Sequence, residues 1–474
     1  DPRETTYLLD FDQEAWVKSE LMISSEALES ISGTPARLIT GVAGSGKSLA
    51  LLYRARLQAK CAASASRCTL FITHNKPLIG DLKWRYGRLA AMMNEGGAEV
   101  EATHFVHFFR WCGTLRYDEK LSLIGTQERK SHITRLANEA FPNSGLSDSF
   151  FIDEIGFIAD QIDDSAPGYL AMDRTGRGIA LDRNQRLKMH AVYQRYRSSL
   201  AVNRETDWPF IVRMVWEKVR AGQLRLPRYD TIFIDEAQFF APVWFAILKA
   251  CLKAPGGEFV VAADPTQGFL KRRLSWRAVG LNVVGRAARL KKSYRNTPAI
   301  QAFARRFYNS RIQASEHLAE ETILPEGGEG ITQHTRDTPR LIKHRAVQDS
   351  ILWTANEIAA SVRSGLSPGA VLVLIEDRSS LDALRATLEG KLGSDKVTLL
   401  SDQAPSAAST VAIATFNSAT GIERPVVFLL GIDTLFESEG DPRLDHRQRS
   451  EMIRDHTRKI YMALTRAGEK LLIS

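Results

Sequence analysis

The chain has 474 residues, of which 44% are hydrophobic and 25% charged, the balance of an ordinary globular protein with two or three domains. Its net charge of +8 suits a polyanionic partner, although a basic surface also serves solubility alone. No apolar run reaches the roughly 18 residues that span a bilayer, and the four cysteines lack zinc or iron–sulfur spacing. We therefore expect a cytoplasmic protein without a membrane partner, and a start at Asp1 rather than Met predicts a segment of a longer chain, with a missing N-terminal domain.

Short apolar runs alternate with helix-like segments, which predicts an α/β fold with parallel sheets. The predicted strands cover residues 37–40, 69–73, 231–234, 258–262, 371–375, 411–415 and 426–430. They form two groups, which predict one domain over residues 1–285 and a second over residues 286–474. Charged helical stretches dominate between about residues 111 and 228, so we expect a helical subdomain inserted into the first domain.

Residues 41–48 match G-x-x-x-x-G-K-[ST], the pattern of a phosphate-binding loop, between a predicted strand and a helix-forming stretch. The predicted phosphate-binding residues are Gly41, Gly44, Ser45, Gly46, Lys47 and Ser48. Lys47 is expected to reach the β- and γ-phosphates, and the Ser48 hydroxyl is a ligand for Mg²⁺ at a helix N-terminus that favours anions. The alternative is a glycine-rich turn that matches by chance, and the flanking elements favour the phosphate site.

The predicted strand 231–234 ends in two adjacent carboxylates, Asp235 and Glu236. In a phosphate-loop protein, Asp235 would orient Mg²⁺ and Glu236 would accept a proton from the attacking water. The next strand ends before Gln267, a candidate sensor of the γ-phosphate. Exposed strand ends and plain turns also produce such residues, and the phosphate loop upstream favours the catalytic interpretation.

Two arginines of the second half, Arg295 and Arg466, each follow a predicted element. An arginine that reaches across a cleft neutralises charge in phosphoryl transfer, an effect of about 10³ to 10⁵ in rate. Most arginines of a basic protein are solvated surface groups. Only the sequences around Arg295 and Arg466 single out these two.

The order of these motifs resembles superfamily 1 helicases of the UvrD/Rep/PcrA type over most of the chain, from Phe11 to Ser474. The resemblance implies two RecA-like domains, ATP as substrate and Mg²⁺ as cofactor. It implies that Gln13 reads adenine, that Tyr294 stacks on adenine beside Arg295, and that Glu423 lies near the ribose. It also makes Arg466 an arginine finger.

The resemblance further implies a path for single-stranded nucleic acid. Residues 69–75 are similar to a strand-end motif that touches the polymer, and residues 103–108 resemble a degenerate T-F-H-S motif. The residues expected on this path are Thr73, His74, Asn75, Thr103, Phe105, His107, Phe269, Trp276 and Thr415. Phe108, Phe109 and Trp111 are further candidates for base stacking, although aromatic stripes more often belong to a core.

The sequence also departs from the family. Asn417 and Thr420 stand where the family has histidine and lysine, and Ala263 replaces the glycine of G-D-x-x-Q. The family's helical 2B insert has no counterpart, because only about twenty residues separate the 371–388 unit from the strand at 411.

The sequence therefore predicts an ATP-dependent helicase or translocase, an ATP hydrolase acting on single-stranded DNA. A 3′ to 5′ direction is implied only by the resemblance. Two alternatives stay open. The chain could be a nucleic-acid-gated ATPase subunit of a larger nuclease or defence assembly, with protein partners and little unwinding alone. It could also be an RNA-directed helicase, since no pattern identifies a reader of the 2′-hydroxyl.

Overall fold

The structure, a computed structural model, describes most of the chain. The described residues are 8–20, 33–41, 44–61, 68–92, 103–115, 121–172, 174, 179–253, 256–264, 276–294, 296–311, 338–377, 380–400, 409–419, 422–442 and 446–474. Within them no helix combines the length and the hydrophobicity needed to cross a bilayer.

The first half of the chain contains a parallel sheet and a block of helices. In chain order its elements are α1 (Phe11–Lys18), β1 (Thr34–Gly41), α2 (Lys47–Cys61), β2 (Thr69–Thr73), α3 (Lys76–Met92), β3 (Thr103–His107), α4 (Phe108–Leu115), β4 (Ser122–Leu123), α5 (Thr126–Ala140), α6 (Asp148–Ala159), α7 (Ala166–Ala171), α8 (Arg183–Val202), β5 (Glu205–Thr206), α9 (Trp208–Arg220), β6 (Thr231–Ile234), α10 (Pro242–Ala250), β7 (Glu258–Ala263), β8 (Leu281–Asn282) and β9 (Ala287–Leu290).

The second half contains another parallel sheet. Its elements are α11 (Pro298–Arg311), β10 (Arg340–Leu341), α12 (Val347–Arg363), β11 (Val371–Ile375), α13 (Leu381–Leu392), β12 (Val397–Leu399), β13 (Val411–Thr415), β14 (Arg424–Leu430), α14 (Ile432–Glu439), α15 (His446–Leu464) and β15 (Ala467–Ile473).

The first sheet has the strand order β3-β2-β6-β7-β1-β8, and β9 also pairs with β1. Its strands are parallel, and β2, β6 and β7 are buried along their whole length. Continuous apolar strands need cover on both faces of the sheet. Helices α1, α2 and α3 cover one face, and α4, α9 and α10 cover the other.

Helices α5 to α8 form a separate block between α4 and α9 along the chain. They enclose their own hydrophobic cluster, which includes Phe151, Ile155, Tyr193 and Tyr196. The buried carboxylate of Glu154 ties this block together, because it accepts hydrogen bonds from the Arg174 guanidinium at 2.8 and 2.9 Å and from the Tyr169 hydroxyl.

The second sheet has the order β10-β15-β14-β11-β13-β12 and is also parallel. Helices α12 and α13 pack on one face, and α11, α14 and α15 pack on the other. The Asn296 amide attaches the connection between the halves to this sheet, since its Nδ2 donates to the carbonyls of Thr465 and Ala467 at 3.0 and 2.6 Å.

The mixed α/β fold with parallel sheets is confirmed. Every predicted strand is present. Three of them are longer than predicted, namely Thr34–Gly41, Glu258–Ala263 and Arg424–Leu430 in place of residues 37–40, 258–262 and 426–430. The segment between α13 and β13 holds the short strand β12.

Candidate nucleotide site and nucleic-acid surface

The topology of the first sheet predicts a ligand-binding crevice at the carboxyl ends of β1 and β7. The chain leaves β1 toward β2 on one side, and it leaves β7 toward β8 on the other. Loops that depart in opposite directions leave room at the carboxyl ends of neighbouring strands, where ligands of open α/β sheets bind. The phosphate-loop residues follow β1, and Asp264 follows β7, so both border this crevice.

The phosphate loop has the backbone that a narrow anion cradle requires. Gly44 and Gly46 adopt φ angles of +75° and +79°, which side chains strongly disfavour. A Cβ at Gly41 would lie 2.6 Å from Ser45 Oγ and 2.8 Å from the Leu290 carbonyl. Glycine at these positions therefore keeps backbone N–H groups accessible at the start of α2.

Helix α1 packs its Gln13 side chain against the phosphate loop. Gln13 Nε2 donates to the Ser45 carbonyl at 2.8 Å, and Gln13 Oε1 accepts the Asp10 N–H at 2.9 Å. Asp10 caps α1 by accepting the Gln13 N–H at 2.7 Å, and it also accepts the Tyr294 hydroxyl. Since the Tyr294 N–H donates to the Gly44 carbonyl at 2.9 Å, these side chains surround the loop.

The Lys47 ammonium lies inside the crevice. Its Nζ donates to the Gly41 carbonyl at 2.8 Å and lies 3.5 Å from Asp264 Oδ2. Asp264 is 1% exposed, so this ion pair is largely shielded from solvent. The two contacts hold the ammonium between β1 and β7, where a phosphate would enter.

Asp235 and Glu236 follow β6, two strands away from β1. Neighbouring strands are spaced by almost 5 Å, which puts roughly 10 Å between β6 and β1 and leaves room for a phosphate and a water. Asp235 Oδ1 accepts the Glu236 N–H at 2.9 Å. Glu236 has a left-handed backbone, with φ 55° and ψ 43°, a conformation that is uncommon for a residue with a side chain.

The Asp235 carboxyl group fits a role as a ligand of Mg²⁺. Burial and the nearby charge of Glu236 raise its pKa to about 7, although hydrogen bonding from Ser48 and the charge of Lys47 act in the opposite direction, and a bound cation would favour the charged form. Asp235 Oδ2 is buried and accepts no hydrogen bond from the described part of the protein. A hard divalent cation between Asp235 and the Ser48 hydroxyl would satisfy this oxygen.

No group of three or more His, Cys, Asp or Glu side chains is arranged as a metal site among the residues with described positions. This does not conflict with a magnesium site, because Mg²⁺ in nucleotide enzymes uses one or two carboxylates and completes its shell with phosphates and water.

The second half contributes Tyr461 and Arg466 to the surroundings of the crevice. Burial raises the pKa of Tyr461, and the charge of Asp264 raises it further, while the charge of Arg466 lowers it. Tyr461 therefore lies near both residues. Arg466 is 1% exposed, and its Nε donates to the Met462 carbonyl at 3.0 Å.

Glu423 forms an ion pair across the two halves. Its Oε1 lies 3.7 Å from Arg85 Nη2 on α3, and Arg85 Nε also contacts Asp81 at 2.7 Å. Nearby, Asn75 Nδ2 donates to the Ser418 carbonyl at 3.4 Å. The end of β2 therefore meets the segment that follows β13.

The ends of β2 and β3 bring together part of the expected nucleic-acid path. His107 Nε2 lies 2.6 Å from the His74 carbonyl, and His107 Nδ1 accepts the Arg110 N–H at 3.3 Å. A carbonyl can only accept, so Nε2 carries the proton in this arrangement. The His74 ring packs on Phe239 at 4.5 Å between centroids.

The predicted nucleic-acid path contains three threonines, and their hydroxyl groups differ in burial and in hydrogen-bond partners. Thr73 is buried, and its Oγ1 has no hydrogen-bond partner within the described ranges. Thr415 Oγ1 lies 2.9 Å from Ser418 Oγ, beside the Asn75 contact. Thr103 begins β3, so it lies roughly 13 Å from His107 along the strand, and its hydroxyl contacts the Tyr86 hydroxyl at 3.2 Å.

The aromatic candidates mostly pack against other rings. Phe105 stacks on Phe71 at 5.1 Å between centroids, and Trp276 makes an edge contact with Phe245 at 6.2 Å. Phe108 and Trp111 belong to the core on the α4 face of the sheet, and Phe109 packs against that core. Phe105 and Trp276 remain partly exposed, so of these five only they and Phe109 present ring surface to solvent.

Three predicted site residues, Arg295, Gln267 and Phe269, lie outside the described residues.

Sequence reasoning assigned no role to three residues that the geometry connects to the site, namely Asp10, Gln238 and Arg85. Asp10 and Gln13 have the spacing of a capping box, which was a usable signal. Gln238 stands two residues after Glu236, but only the folded turn reveals its contacts. No sequence signal links Arg85 to Glu423, because the two residues are distant in the chain and meet only through packing.

Comparison of the sequence with protein-family models gives no match, and comparison with curated proteins gives no significant match.

Proposed function

We propose that the protein is an ATP hydrolase that uses two RecA-like domains, the first with a helical insertion formed by α5 to α8, to move along single-stranded nucleic acid, most simply DNA. The observation that carries the proposal is the convergence of Lys47, Ser48, Asp235, Glu236 and Asp264 at one edge of the first sheet. A lysine, a hydroxyl and separate carboxylates around one crevice suit phosphoryl transfer better than any other common chemistry.

Each residue has a distinct proposed role. Lys47 and the loop N–H groups bind the β- and γ-phosphates, while Ser48 and Asp235 hold Mg²⁺. The cation supplies neutralisation of phosphate charge when bound. Glu236 accepts the proton of the attacking water, and Arg466, together with Arg295, stabilises charge that develops on the γ-phosphate.

Adenine recognition is proposed for Gln13 and Tyr294. Both lie against the phosphate loop, and Asp10 connects them through hydrogen bonds. Glu423 is the proposed ribose contact, and its ion pair with Arg85 would then exchange for that contact during the cycle.

The polymer would bind where β2 and β3 end, next to the segment after β13. His74, Asn75, His107 and Thr415 border this region, and the contact between Asn75 and Ser418 connects the two halves there. A polymer bound to both halves would be shifted when they close and open, and movement along the strand requires this coupling.

The test is ATP hydrolysis with and without single-stranded DNA. We expect strand-stimulated turnover in the wild type, and Lys47→Ala or Glu236→Gln should reduce it by at least about 10² because each removes one essential group. Strand binding should stay within about threefold of the wild type, by the same separation of binding from chemistry. Lys253→Ala, an exposed lysine paired with Asp230, serves as the control. Undiminished turnover in Glu236→Gln would remove the assigned base.

A second candidate is a nucleic-acid-gated ATPase that works within a larger assembly and unwinds little by itself. It is favoured by the short connection between α13 and β13, which leaves no space for a folded insert. Duplex unwinding by the purified chain would argue against it. Matched DNA and RNA strands in the ATPase assay would decide between DNA and RNA as activator.

A further inference from the structure

The side chain of Gln238 connects the ends of β6 and β7. Gln238 Nε2 donates to Glu236 Oε2 at 2.5 Å, and Gln238 Oε1 accepts the Asp264 N–H at 2.9 Å. The partners fix the orientation of the amide, since a carboxylate only accepts and a backbone N–H only donates. Gln238 is 8% exposed, so both hydrogen bonds are shielded from water.

The backbone around Gln238 is equally constrained. Residues Ala237–Phe239 form one turn of 3₁₀ helix, entered through the left-handed Glu236, and the Phe239 N–H donates to the Glu236 carbonyl at 3.1 Å. A glutamate side chain has several rotatable bonds and loses much freedom when it is fixed. Here the amide of Gln238 holds one of its two oxygens in place.

The contact continues from Asp264 to the phosphate loop. The Asp264 N–H binds Gln238, and the Asp264 carboxylate lies 3.5 Å from Lys47 Nζ. Glu236, Gln238, Asp264 and Lys47 thus form a continuous chain across β6, β7 and the start of α2.

We propose that Gln238 is a positioning residue for the reaction. It fixes the Glu236 carboxylate toward the crevice and couples its placement to the segment that follows β7. The inference rests on the proposed function of Glu236 as the base, and it adds a residue to which neither the motif pattern nor the resemblance assigned a role.

Two variants separate positioning of Glu236 from simple support of the fold. Gln238→Glu keeps the shape of the side chain and an acceptor for the Asp264 N–H, but it loses the donor and places a carboxylate against Glu236. Gln238→Leu loses both hydrogen bonds. Positioning requires kcat to fall in both variants while Gln238→Leu keeps a melting temperature near that of the wild type, whereas mere support of the fold would lower the melting temperature and leave kcat of the folded Gln238→Leu protein close to the wild type.

The experiment measures kcat and KM for ATP at saturating single-stranded DNA, together with the melting temperature. We expect kcat to fall by about 10- to 100-fold in both variants, since displacement of a catalytic group by about 1 Å can cost 10². KM should change by less than about threefold, because ground-state binding is untouched. Gln58→Leu is the matched control, since Gln58 Nε2 also binds a buried carboxylate, that of Glu258, at 2.8 Å.

A double mutant supplies the readout that a structural role would not move. Once Glu236→Gln has removed the base, adding Gln238→Leu should lower turnover no further, because the two side chains act as a unit. Multiplicative losses would overturn the inference, as would wild-type kcat in either Gln238 variant. Wild-type kcat in a Gln238 variant of an active enzyme would overturn only this inference, whereas a wild type that hydrolyses no ATP would overturn the proposed function on which it rests, so the two failures are distinguishable.

Discussion

At the scale of single residues, Arg466 is one of several arginines in the described part of the chain whose side chains are almost completely buried. It is nearly fully buried, its Nε donates to the Met462 carbonyl at 3.0 Å, and its charge lowers the pKa of Tyr461. A buried guanidinium is costly unless it is paired. The burial of Arg466 distinguishes it from a solvated surface arginine, and the role proposed for it in ATP hydrolysis can be tested.

Replacing Arg466 tests that role. Arg466→Ala should lower kcat by about 10³ or more if the guanidinium stabilises the transferring phosphate, and nucleotide affinity should change far less. Steady-state turnover and binding of a fluorescent ATP analogue measure the two effects.

Arg466→Lys is the comparison variant, because lysine keeps the charge and loses the planar fork. Near-normal turnover in Arg466→Ala, with only a lower melting temperature, would make Arg466 a structural residue.

At the scale of elements, the strands were predictable because their chemistry is local. The runs at residues 231–234 and 371–375 consist almost entirely of apolar residues, which the parallel sheets bury on both faces. Such continuous apolar runs can be recognised in a sequence. The positive φ angles of Gly44 and Gly46 agree with a loop pattern that is equally local, since its glycines and Lys47 lie within eight residues of sequence.

Contacts between strands could not be predicted in this way. No sequence signal links Asp264 to Lys47, and only the strand order, with β7 between β6 and β1, brings the two residues together. Phe108 was a candidate for base stacking because it is aromatic, but helix α4 places it in the core, where it stacks on Trp244 at 4.5 Å between ring centroids. Sequence proximity does not encode such neighbours.

The cap of α1 gives a prediction at this scale. Asp10→Ala should destabilise the protein by about 1 kcal/mol, the usual effect of losing an N-cap side chain. It should also raise KM for ATP, because Gln13 and Tyr294 lose a shared hydrogen-bond partner. Thermal unfolding and steady-state kinetics measure the two effects.

Asp182→Ala is the matched control, since Asp182 and Gln185 form the same capping box on α8. A similar loss of stability is expected there, with KM unchanged. An equal rise of KM in both variants would show that Asp10 acts only through stability.

At the scale of the whole molecule, polar contacts join the two halves within the described part of the chain. Besides the main-chain connection held by Asn296, they include the ion pair of Arg85 with Glu423 and the bond from Asn75 to Ser418. Both side chains of the ion pair are more than a quarter exposed, so it contributes at most about 1 kcal/mol. Contacts of this strength can form and break during a cycle.

A charge swap tests the ion pair. Arg85→Glu should reduce strand-stimulated turnover by less than about tenfold, as a partly exposed pair allows. The swap Arg85→Glu with Glu423→Arg should restore much of the loss if the ion pair is what matters.

The swap also decides between the two interpretations of Glu423. If the swap fails to restore turnover and every variant at position 423 raises KM for ATP, Glu423 acts as the ribose contact that the resemblance implies and not through its ion pair.

The left-handed backbone at Glu236 affects the thermal stability of the protein. A side chain in this conformation costs about 1 kcal/mol relative to glycine, and here it also sets two carboxylates side by side in a buried place. Glu236→Gly removes both costs but also removes the acceptor of the buried Gln238 amide, so we expect a melting temperature close to that of the natural chain with turnover lowered by at least about 10², which calorimetry and the ATPase assay would reveal. A selection for thermal stability alone would therefore tolerate this inactive variant, whereas a selection that also requires ATP turnover would retain Glu236.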